Sequence, residues 1–200
     1  MSSKHIYVSV DIEADGPIPG IYSMLSLGAA AFDIGLPSPD KYKPIDTFQI
    51  NILPLLDARQ DPATMRWWSE RPEAYAVATK DAQFAGDAIP TFTAWLRQLP
   101  GHPICVAYPV GFDFTFIHYY NVIFDPKHED PFGFSALDIK TLACAALDKP
   151  YPEAIKKNVP WAWFNPPDGK APRHNHEALQ DAIGQGILFV RLMDFVESLR

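Results

Sequence analysis

At 200 residues, with 48% hydrophobic and 20% charged side chains, the chain has the length of one ordinary domain (1–200) and enough apolar content to bury a core, which excludes disordered and fibrous classes. No run approaches the roughly 18 apolar residues of a membrane span; Met-Ser-Ser-Lys-His leads into a strand-like stretch without a signal-peptide core, so a cytoplasmic location is expected. The net charge of −7 argues against wrapping long nucleic acid but not against a small acidic site, because divalent metals held by carboxylates reverse the local sign.

Residues 6–10, 23–33 and 45–53 are β-branched, apolar or alternating, and predict three early strands. The connections Asp15-Gly16-Pro17-Ile18-Pro19-Gly20 and Gly35-Leu36-Pro37-Ser38-Pro39-Asp40 are dense in turn formers, as in a meander. Helical patterns follow over 62–80 and 88–99, then a short strand over 103–108 and a helix over 113–124. A short strand over 136–139, a helix over 140–147 and a long amphipathic helix over 177–199 complete the pattern. Strands first and alternation later predict an α/β class: one mixed five-stranded sheet flanked by helices. Residues 149–173 carry six prolines and predict a long loop. The loop is also the one sustained basic stretch: Lys149, Lys156, Lys157, Lys170 and Arg173 against Glu153 and Asp168, a net of +3. Cys105 and Cys144 are isolated in apolar contexts and read as reduced core residues.

Three acidic features carry chemistry. Asp11 and Glu13 sit two apart at the end of the first strand, so the strand period of two turns both carboxylates to one face, where they suit a hard cation such as Mg²⁺. Asp-x-Glu nevertheless arises about 0.6 times by chance in such a chain, and its bland reading is a solvated strand end. Asp113, in Phe112-Asp113-Phe114, stands where a strand gives way to a helix; taken alone it reads as a helix cap. His176 and Asp181 are five apart at the start of the last helix. They meet only if His176 lies on the preceding loop and swings over Asp181.

Together, Asp11-x-Glu13-x-x-Gly16, Phe112-Asp113 and His176-x-Ala178-Leu179-x-Asp181-Ala182 resemble the three motifs of the DEDDh 3′→5′ exonucleases, the superfamily of the DNA polymerase III proofreading subunit, oligoribonuclease and ribonuclease T. The resemblance spans residues 6 to about 190. It implies a ribonuclease H-like fold, with Asp11, Glu13, Asp113 and Asp181 as ligands of two Mg²⁺ ions, for which Mn²⁺ substitutes. His176 is implied as the general base, a task that suits an imidazole of unperturbed pKa near 6.5. Glu13 is implied near the terminal sugar. The segment Thr64-Met65-Arg66-Trp67-Trp68-Ser69 resembles one in RNA-trimming relatives, which implies base stacking by Trp67, with Trp68 assigned to the core. Asp15 stands where many relatives have Thr, and Tyr108-Pro109-Val110-Gly111 lacks their Asn.

The implied activity is a metal-dependent exonuclease acting on single-stranded 3′ ends. RNA is the preferred substrate, since an acidic surface disfavours a long duplex while Lys170 and Arg173 of the basic loop hold a few phosphates. DNA proofreading or end trimming is the alternative, followed by a catalytically silent binding module. The complete set of five catalytic-type residues argues against silence. A homodimer is compatible with the apolar last helix. His102, His118 and His174 read as structural or solvated, and Asp138 as a capping or supporting residue.

Overall fold

The structure, a computed structural model, describes residues 4–165 and 176–199. Its centre is a five-stranded sheet in the order β3-β2-β1-β4-β5, formed by β1 (His5–Ala14), β2 (Met24–Phe32), β3 (Asp46–Asn51), β4 (His102–Ala107) and β5 (Leu137–Asp138). The meander β1-β2-β3 is antiparallel, whereas β4 pairs parallel to β1, and β5 parallel to β4, after helical crossovers. The mixed sheet expected from the sequence is the one observed.

The first strand runs four residues past the expected apolar core, because the alternation continues through Asp11 and Glu13. Ile6, Val8, Val10, Ile12 and Ala14 point into one core with Leu27, Ala29, Phe92, Phe116 and Tyr120. The odd residues therefore face the opposite layer, where Tyr7 packs on Phe189 at 4.8 Å between ring centres.

Among the described residues, six α-helices cover the sheet: α1 (Pro62–Ser69), α2 (Pro72–Thr79), α3 (Ala85–Gln98), α4 (Val110–Phe124), α5 (Ile139–Leu147) and α6 (Ala178–Ser198). The single helix expected over 62–80 is in fact two. Pro72 disfavours the α conformation for Arg71, whose φ of −136° breaks the run. Asp61 caps α1, accepting from Thr64 N at 2.8 Å, and Pro62 occupies the first turn. Helix α3 begins at Ala85 rather than 88, and α4 at Val110 rather than 113. The proline-rich loop carries two short 3-10 turns in its described part, Lys156–Asn158 and Trp161–Phe164. No described helix is long and apolar enough to cross a membrane.

Candidate active site

Strand β1 is central: β4 pairs with it as far as Ser9, and β2 pairs with it through Asp11 and Glu13 to Ala14, which fixes the direction of both side chains. Asp11 pairs with Gly28 and Glu13 with Ser26 across the β2 ladder, with a register shift after Glu13. Both carboxylates lie on the α6 face, as the strand period requires. Asp15 does not join them. It is fully buried, accepts from Ser23 N at 2.5 Å and clasps the β1–β2 connection instead of facing the cleft.

Asp113 departs from the cap that its position suggests. It does not cap α4, whose N-cap residue is Pro109 with no side-chain bond; it sits within the first turn, and its Oδ1 accepts from Ile12 N at 3.0 Å. The β1–β4 ladder ends at Ser9–Val106, so the Ile12 amide beyond it is satisfied by a carboxylate from the next helix. That bond ties the second acidic motif to the first. Asp138 plays the expected supporting part, capping α5 through Lys140 N and Thr141 N while accepting from Val110 N at 3.1 Å.

The last helix brings the third motif. A Cβ at Gly28 would lie 2.2 Å from the Ala178 carbonyl carbon and the Leu179 nitrogen, so the first turn of α6 touches the sheet backbone at the residue opposite Asp11. Asp181, in that turn, is 6% exposed. His176 stands in the bend just before the helix with φ +57°, a left-handed conformation uncommon for a residue with a Cβ. It thereby swings over Asp181 as the motif requires: ligand-type atoms of Glu13, His176 and Asp181 all lie within 4.8 Å of one another. Its ring packs edge-to-face with Trp67 at 4.9 Å. The Arg71 guanidinium lies 4.2 Å from the Trp67 ring centre and donates to Trp67 O. Trp68 is core, 2% exposed, and its indole N–H donates to Ala14 O at 3.0 Å.

Crowding sets the electrostatics. Burial first, then the charges of Asp181 and Asp113, pushes Glu13 up to about 8. Burial likewise pushes Asp113 up to about 7, against the Ile12 N–H bond that favours its charged form. Asp11 is held well above the usual carboxylate range by burial and by Asp113, Asp181 and Glu13. Among the described residues, the opposing positive charge at all three is Lys156. Lys156 opens a 3-10 turn fixed on both sides, by Tyr108 Oη donating to Ala154 O at 2.8 Å and by buried Val159. Four carboxylates in one cleft, unfavourable as bare charges, are the oxygen-rich donor set that hard divalent cations bind, so these residues fit such ions.

Two members of the site carry no motif in the sequence. Gly28 is hidden in an apolar run, and Gln185, whose Nε2 donates to Asp11 Oδ1 at 2.6 Å, is signalled only by its place one helical turn after Asp181. The expected histidines behave as supports, with His118 Nδ1 lying 2.8 Å from Asp130 and His102 on the surface. Cys105 is buried and Cys144 half-buried, both as free thiols. Lys170, Arg173 and His174 lie outside the described residues.

No protein-family model matches the chain. It is 31% identical over 196 residues to the 3′-5′ DNA exonuclease Cap18 of Escherichia coli, an alignment covering 96% of this chain and 94% of that protein. Among solved structures, the nuclease domain of 3′hExo, a DEDDh family member bound to rAMP, superposes with a TM-score of 0.67 at 11% identity, covering 96% of this chain and 94% of that one. Exonuclease I of E. coli in complex with a dA16 oligonucleotide superposes with a TM-score of 0.59 at 18% identity, over 98% of this chain and 43% of that one. These solved structures share the fold, and the Cap18 alignment carries the kinship: the chain belongs to the DEDDh superfamily of divalent-metal-dependent 3′→5′ exonucleases.

Proposed function

We propose that this protein shortens single-stranded nucleic acid from its 3′ end, with Asp11, Glu13, Asp113 and Asp181 holding two Mg²⁺ ions, replaceable by Mn²⁺, and His176 as general base. The observation that carries this reading is the convergence of the carboxylates on one cleft with the His176 ring within reach of Glu13 and Asp181. Bound there, such ions lower the pKa of a water and stabilise charge on the leaving oxygen. His176 accepts the proton of the attacking water, for which a neutral imidazole is suited near pH 7. Lys156 offsets negative charge at the cleft and is available to a substrate phosphate. Trp67, beside His176, offers an aromatic surface to a terminal base, and Glu13 approaches the terminal sugar.

DNA is the favoured strand, because the relative aligned over nearly the whole chain is a DNA exonuclease. RNA, the substrate preferred from the sequence, is the second arm of the same test. The experiment is a time course on 5′-labelled single-stranded DNA and RNA with Mg²⁺, Mn²⁺ or chelator. A metal-dependent ladder of products shortened stepwise, faster on DNA, is expected. Internal cleavage, or loss of the 5′ label first, overturns the polarity, and a faster RNA ladder overturns the strand preference.

A further inference from the structure

Gln185 lies one turn beyond Asp181 on α6, so the two side chains rise from one face of the helix. It is 2% exposed and spans the layer to the sheet, where its amide nitrogen donates to Asp11 Oδ1 at 2.6 Å. The same amide leaves Oε1 buried without a hydrogen-bond partner. A buried unpaired oxygen opposes folding, and an apolar side chain of similar size would avoid it. Packing alone therefore gives no reason for glutamine at this position.

We propose that Gln185 is a positioning residue for metal binding, fixing the Asp11 carboxylate so that its remaining lone pairs face the cleft shared with Glu13, Asp113 and Asp181. This inference rests on the metal-dependent reading above. Asp11 is surrounded by like charges, and without a cation its carboxylate is driven to turn away from them. One directional N–H holds the carboxylate in place while leaving its charge intact. A lysine here would neutralise that charge and compete with the ion, and a glutamate would add a fifth carboxylate to the cleft. With Asp11 ionised, as a metal ligand must be, the reverse amide orientation would set oxygen against oxygen. The donor's own position is rigid. A Cβ on the next residue, Gly186, would lie 2.1 Å from the Phe32 ring, and the Gly28 approach bounds the same helix near its first turn, so α6 is clamped against β2 on both sides of Gln185.

The test compares the parent with Gln185→Met, which keeps length but not the N–H, and Gln185→Asn, which keeps the amide but is too short to reach. Thermal melting during Mn²⁺ and Mg²⁺ titrations reads metal binding without relying on activity. Both variants are expected to melt within a few degrees of the parent in chelator, and to need about tenfold or more metal for half-maximal stabilisation, the range typical for groups supporting a metal ligand. Turnover at saturating metal should recover most of its loss, with the substrate KM unchanged. A metal-responsive parent whose variants titrate at its own midpoint overturns the role of Gln185 alone. Variants that melt far below the parent in chelator yet keep its midpoint do the same, since the residue is then structural. A parent indifferent to both metals overturns the metal reading and this inference with it.

Discussion

Gly28 and Asp11 face each other across the β1–β2 ladder, and the side chain that Gly28 lacks is the space through which the Asp181 turn reaches Asp11. The third motif is thus docked by an absence in the second strand. Gly28→Ala would place its Cβ 2.2 Å from backbone atoms of Ala178 and Leu179, which no rotamer change can relieve, so α6 must move. We expect at least a hundredfold loss of turnover and a destabilisation of roughly 1–3 kcal/mol, read by rate and melting temperature. Near-parent activity would show that the helix adapts without displacing Asp181.

His176→Ala should lower turnover by about 10²–10⁴-fold, the usual worth of general-base catalysis. Metal titration should keep its midpoint within about twofold, because the imidazole is assigned to the proton and not to the ion. A lost metal site in this variant would reassign His176 as a ligand alongside the groups it approaches, Glu13 and Asp181.

Glu13 and Asp113, ordinarily near 4.5 and 3.8, are pushed up to about 8 and about 7 in the folded chain, chiefly by burial. Over the interval between these values the folded state binds protons that the unfolded state has released, so stability falls as pH rises. In chelator the melting temperature should therefore drop between about pH 4 and pH 8. Asp11→Asn, with one charge fewer, should flatten that slope and abolish activity. Saturating Mn²⁺ should stabilise the parent most at the alkaline end, by about 2.7 kcal/mol at a hundredfold excess over the dissociation constant. A chelated protein that gains stability across the interval would contradict the crowded site.

Lys156→Met with Lys157→Met should weaken binding of a single-stranded oligonucleotide more than it slows saturated turnover. For every phosphate that these lysines neutralise in the parent, the log–log salt dependence of affinity should be shallower in the variant by roughly 0.7. An unchanged slope would confine Lys156 to balancing the carboxylates.

Local rules made much of this protein readable from its residues. The alternation from Ile6 to Ala14 determined which way Asp11 and Glu13 point, and the Pro- and Gly-rich connections determined where the strands turn. The three acidic motifs identified the chemistry. What depended on partners far along the chain was not readable. Asp113 resembled a cap because its actual partner, the Ile12 amide, is 101 residues away. Gln185 meets Asp11 across 174 residues, and Gly28 was one small residue among alanines until α6 lay against it. A strand period or a turn residue acts within a few bonds and is written in the order of the residues. Which buried N–H meets which carboxylate, and which missing Cβ admits a helix, is decided only when the layers pack, because those meetings occur between surfaces that the chain order does not bring together.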